Sequence, residues 1–159
     1  MPAFAGMTNS CNIIHVIDLE IMSTSPNGKH TAQLHYEGEI RYGPPYFTLS
    51  LDGKTFPGRR FGDTLNWSPD SCYVAVQEWL TTDYLTGPVT RVLLIDLKAD
   101  RCSELEPVKK GFAQDFHFDG DTFAYRNHFP ASGQATAAEV VISLITNWKK
   151  TGVSLEHSR

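Results

Sequence analysis

The chain is short of cysteine, of long apolar runs and of basic charge, and each shortage removes a class of protein. Cys11, Cys72 and Cys102 are odd in number and widely spaced, so they spell neither a disulfide framework nor a C-x-x-C zinc knuckle. Reduced, buried thiols are expected. No stretch approaches the roughly 18 consecutive apolar residues of a membrane span, and no basic segment leading into an apolar one marks a secretory signal. A cytoplasmic chain without membrane association is therefore the default expectation. With 18 acidic against 14 basic residues the formal net charge is -4, which argues against nucleic acid as the partner, because nucleic-acid binders carry a basic face.

Motifs of catalysis are missing too. There is no G-x-S-x-G elbow, P-loop, H-E-x-x-H or dinucleotide fingerprint, and no serine or cysteine stands in a recognisable nucleophile context. The pairs Glu37/Glu39 and Glu104/Glu106 share a strand face at the roughly 5–9 Å that two glycosidase carboxyls need. Any strand supplies that spacing, so exposed acidic side chains are the plainer reading. Asp115, His117 and Asp119 could line one sheet face, but closing on a metal would need a second strand. The competing reading is a solvated face opposite buried Phe116 and Phe118. No enzyme activity, cofactor or metal is expected.

What the chain does have is β-strand grammar. Its 159 residues, 41% hydrophobic and 20% charged, suffice for one domain with its own core. The β-branched run at 12–19 reads as a strand, and Ser25-Pro26-Asn27-Gly28 as a tight reversal, with proline presetting φ and Asn-Gly supplying positive φ. A strand over 30–40 follows, placing Ala32, Leu34 and Tyr36 on one face and Gln33, His35 and Glu37 on the other. After the turn at Tyr42-Gly43-Pro44-Pro45, the run Tyr46 to Leu51 closes on Asp52-Gly53, a strong hairpin signal.

The same phrase then recurs. Ser68-Pro69-Asp70-Ser71 precedes a strand at 72–79, a loop to about Val89 and a strand at 91–97, an offset of 43 residues from Ser25. A weaker third copy runs from Phe116 to Tyr125 around Asp119-Gly120. Internal similarity at this period is what propeller blades look like in sequence, and the phrases are similar to blades of the TolB and WD40-like class. Closure takes at least about four blades, and there is room for about three units. The expected fold is therefore all-β, mainly an antiparallel meander, in two packed sheets or a partly closed barrel. Its domain spans 11–148, with a late strand at 138–145 inside a segment, 135–150, that reads equally as helix or strand. Residues 149–159 read as a frayed polar tail.

Among the aromatic residues, Trp67, Phe47 and Tyr73 are expected in the core. Trp79 ends its strand beside Glu78 and opens a loop carrying Asp83 and Tyr84. Two readings fit it: a protein-binding hot spot of aromatic and acidic residues, or a cover over the end of the sheet. The first makes Glu78, Trp79, Asp83 and Tyr84 the candidate protein contact, with Asp119 and Asp121 as a second choice.

Met1 to Thr8 resembles the translated end of a dispersed repeat element common in Gram-negative genomes, so residues 1–10 are expected to be a mobile leader. Together with the acidic β-rich body and the Ser-Pro-Asn-Gly and Trp-Ser-Pro-Asp phrases, this start resembles immunity proteins of contact-dependent growth inhibition loci, those paired with EndoU-type RNase toxins. The resemblance implies a role and no site residues. It implies a cytoplasmic protein, monomeric when free, that binds a cognate toxin nuclease domain and blocks its active site without catalysis. A stand-alone or truncated TolB/WD40-like module binding a peptide or small ligand is the alternative.

Overall fold

The computed structural model describes residues 20–40 and 43–152. The expectations for residues 1–10, the strand at 12–19, Cys11, Tyr42 and residues 153–159 lie outside the described residues. Within them, alternation becomes pairing much as the turns dictate. The elements are β1 (Glu20–Thr24), β2 (Thr31–Glu39), β3 (Pro45–Leu51), β4 (Lys54–Thr55), β5 (Arg60–Trp67), β6 (Tyr73–Trp79), β7 (Val89–Asp96), β8 (Arg101–Glu104), β9 (Val108–Lys109), β10 (Phe112–Asp119), β11 (Thr122–Phe129), β12 (Gln134–Val141) and β13 (Lys149–Lys150). Short 3-10 turns at Tyr84–Thr86 and Ile142–Leu144 complete them. All pairings are antiparallel. The fold is all-β and not a closed propeller, and no helix among the described residues could cross a membrane.

The repeated phrase is a repeated hydrogen-bond device. The Ser25 hydroxyl donates to Asn27 Oδ1 at 2.7 Å and accepts from the His30 N–H at 3.1 Å. The Ser68 hydroxyl donates to Asp70 Oδ1 at 2.7 Å and accepts from the Tyr73 N–H at 2.9 Å. In each turn the Asn or Asp oxygen also takes a backbone N–H two residues on, from Lys29 or Cys72. Side chains thus replace the backbone partners a tight reversal leaves open. The two turns also touch, the Asn27 N–H donating to the Ser71 hydroxyl at 3.0 Å. The hairpin at Asp52-Gly53 forms as its sequence demands, both residues at positive φ.

The blade-like units do not stand apart as blades would, because β3 pairs with β5 at Phe47 and Phe61. A continuous path β1-β2-β3-β5-β6-β7-β8-β13 results, while β10, β11 and β12 make a separate sheet. Side chains of β2 and β3 meet those of β5 to β8 in a first core that includes Phe47, Phe61, Trp67, Val76 and Ile95, so the long sheet folds over itself. A second core lies on the opposite face of β6 and β7, where Ala75, Val92 and Leu94 meet Phe116, Phe118, Phe123 and Tyr125 of the small sheet. Strands β6 and β7 are therefore buried on both faces, which is why they read as near-continuous apolar runs. Tyr73 is half-buried and stacks on Trp148.

Two expectations change. Of the segment 135–150, the part to Val141 is strand and the chain then turns before the short β13, because the Asp121 carboxylate accepts the Ser143 N–H and hydroxyl and the Asp121 carbonyl accepts the Ile142 N–H. Ala135, Ala137 and Ala138 favour helix alone, but pairing with β11 over the whole of β12 overrides that weak preference. The tail does not fray at 149: Lys149 and Lys150 pair with Cys102 and Arg101 of β8. Cys72 and Cys102 are free thiols, and burial pushes the pKa of each up.

Candidate protein-binding surface

Strand parity decides where the charged residues of β6 to β8 fall. Glu78 follows Val74 and Val76, Arg91 precedes Leu93 and Ile95, and Glu104 follows Cys102, so all three lie on the face of the first core, at one end of it. Arg59 joins them from the residue before β5. Its guanidinium bonds Glu78 Oε2 at 2.8 Å and Glu104 Oε2 at 2.9 Å, and Arg91 bonds the same two carboxylates at 2.9 and 3.0 Å. Lys149 adds a further bond to Glu104 at 2.9 Å. A ring of two arginines and two glutamates thus closes the open end of the folded sheet.

Burial alone would raise the Glu104 carboxyl, but the Lys149 ammonium and the two guanidiniums outweigh it and hold its pKa below the ordinary 4.5. Burial alone would likewise lower Arg59, yet its bonds to Glu78 and Glu104 leave it raised. Because the folded-state pKa of Glu104 is depressed, its stabilising contribution is complete above about 4.5 and disappears as pH falls through the lowered value. Urea titrations of the wild type and Glu104→Gln should therefore differ at neutral pH and converge on acidification. A gap that widens in acid contradicts this sign.

The sequence-derived contact is taken apart by the same parity. Glu78, expected on an exposed loop edge, is a ring member whose side chain is 4% exposed. Trp79 points the other way, with Ala75 and Gln77, towards β10, where it packs edge-to-face on Phe112 with centroids 5.5 Å apart. Period 2 continues to the end of β6 and buries both side chains almost fully, the arrangement of the second reading for Trp79, a cover over the end of the sheet; what remains accessible of the two faces a concavity they share with Arg59, Arg91 and Glu104. Asp83 is exposed and its carboxylate accepts the Leu85 N–H at 3.0 Å. Tyr84 opens the 3-10 turn, and its side chain lies outside the described residues. Asp119 is exposed at the turn between β10 and β11, whereas Asp121, although exposed, is engaged with Ser143. Asp115 and His117 are exposed opposite Phe116 and Phe118; Asp115 sits at positive φ in a bulge and pairs with His128 at 2.7 Å.

A different surface combines concavity, apolar exposure and unpaired acid. Asn147 anchors the segment after β12 to β8, donating to the Glu104 carbonyl at 3.1 Å and accepting from the Ser103 hydroxyl at 2.6 Å. Between that segment, the end of β12 and Glu104 to Glu106 lies an open groove of about 520 Å³. Leu105 and Tyr125 are buried at its wall, while Leu144 stands 73% and Val141 40% exposed. Glu106 and Glu139 are exposed beside them and have no ion-pair partner among the described residues. Burial and the nearby Glu106 carboxylate push the Tyr125 phenol pKa up. Sequence reasoning missed this groove because its parts come from β8, β11, β12 and the turn after it. The one legible signal was Glu106, dismissed as an ordinary exposed acid.

No protein-family model, curated protein or solved structure matches this chain.

Proposed function

We propose that the chain is an immunity protein that binds a toxin nuclease in the cytosol and blocks its basic active site, with the groove beside β12 as its contact. The observation that carries this reading is the meeting of exposed Leu144 and Val141 with the unpaired carboxylates of Glu106 and Glu139. Exposed apolar side chains rimmed by charge are the ordinary make-up of a protein contact. An RNase site must hold phosphates and is basic, so an acidic groove gains association rate and specificity against it. The net charge of -4 acts in the same direction.

The test is titration calorimetry against a panel of EndoU-type nuclease toxin domains, together with growth rescue of cells expressing each of them. Leu144→Asp should weaken binding about tenfold or more, and Glu106→Lys should chiefly slow association and flatten its salt dependence. Leu85, 94% exposed on the loop after β6, serves as control: Leu85→Asp should bind as the wild type does. The reverse pattern moves the contact to that loop, and a wild type that neither binds nor rescues ends the immunity reading.

A further inference from the structure

We propose that the free edge of β12 takes up an extended basic segment of the partner as an added strand, an inference that rests on the protein-binding reading above. Among the described residues β12 pairs with β11 alone, on one side. The opposite edge, β10, shows how this fold covers an edge. Asn66 Nδ2 donates to the Phe116 carbonyl at 2.9 Å and Gln77 Nε2 to the Ala113 carbonyl at 2.8 Å. The Thr90 hydroxyl donates to the Gly111 carbonyl and accepts the Ala113 N–H, both at 3.0 Å. On β12 the Gln134 N–H at its start donates to the Ser132 hydroxyl at 3.3 Å, and among the described residues no side chain bonds the backbone from Ala135 to Val141.

The ladder fixes which groups are open. The Ile142 N–H donates to the Asp121 carbonyl at 2.7 Å, and alternation along the antiparallel pair then turns the backbone of 136, 138 and 140 towards β11. The N–H and C=O groups of Ala135, Ala137, Glu139 and Val141 point away from it. Edges are ordinarily guarded by lysine, proline, a bulge or brevity. None of these four is present here, since β12 has eight residues, Gln-Ala-Thr-Ala-Ala-Glu-Val-Val, and an unbroken register with β11; the single charge that guards it is Glu139.

Charge selects the occupant. Glu139 is the sole charged residue of β12, and the groove at its end adds Glu106. A second copy would bring two such acidic sets, each on a chain of net charge -4, against one another. A strand with lysine or arginine at alternate positions neutralises them while its backbone completes the ladder.

Hydrogen exchange on the ¹⁵N-labelled full chain tests this, using as probe the capped peptide Lys-Val-Lys-Thr-Arg-Val-Lys, whose basic residues alternate and so share one strand face. At about 1 mM peptide, exchange at Ala135, Ala137, Glu139 and Val141 should slow about tenfold, and a peptide with glutamate in place of each basic residue should slow it far less. Ala137→Pro removes one outward donor and no ladder bond, so it should abolish peptide protection at the other three amides with little change in melting temperature. Unaltered exchange in the wild type overturns the proposal, whatever the stability of the proline variant. Equal protection by the acidic peptide removes the charge argument, and protection that grows with protein concentration alone makes the occupant a second copy. The peptide carries no nuclease, so its failure leaves the calorimetric test standing, and a failure there leaves edge pairing standing.

Discussion

Replacing Trp79 with alanine is expected to destabilise the fold by about 3–5 kcal/mol, the usual cost of emptying a well-packed site of that size. The side chain is 4% exposed and holds the end of β6 against Phe112 of β10, so the loss should loosen the small sheet from the long one. Its indole Nε1 is buried without a hydrogen-bond partner among the described residues. An unpaired buried donor costs free energy by itself. Trp79→Phe, which keeps much of the packing and removes that donor, should therefore cost far less than alanine. Urea denaturation of both variants checks this, and a Trp79→Ala protein that unfolds at the wild-type midpoint would return Trp79 to the surface.

Glu78→Ala is expected to cost a similar amount, about 3–5 kcal/mol, for an electrostatic reason. Both oxygens of Glu78 are committed, one to Arg59 and one to Arg91, and its side chain is 4% exposed. Removing it leaves Glu104 as the single carboxylate facing two partly buried guanidiniums and Lys149. Removing Arg91 together with Glu78, by an apolar pair of similar volume, should recover much of the loss, because desolvation of both charges is then avoided. By contrast Glu139→Gln, on an exposed strand edge, should change stability by no more than about 0.5 kcal/mol. Equal effects at positions 78 and 139 would show that the ring does not hold the sheet closed.

Local chemistry determined the turns and most strands in advance. Ser-Pro-Asn-Gly, Ser-Pro-Asp-Ser and Asp-Gly carry their own hydrogen-bond partners and φ requirements, and each forms its reversal here. Period 2 then assigned Ala32 and Leu34 to one side of β2 and Phe116 and Phe118 to one side of β10. Together these made an all-β antiparallel fold legible from residues alone. Tertiary structure decided what local rules leave degenerate. Alternation says that Glu78 and Trp79 face opposite ways but not what lies beyond each face; only the folding of the long sheet and the docking of β10 bury both. Alanine-rich 135–138 has no strong preference of its own, and pairing with β11 made it strand. The groove and the open edge of β12 belong to neither period nor motif, because they arise where segments remote in sequence stop short of one another.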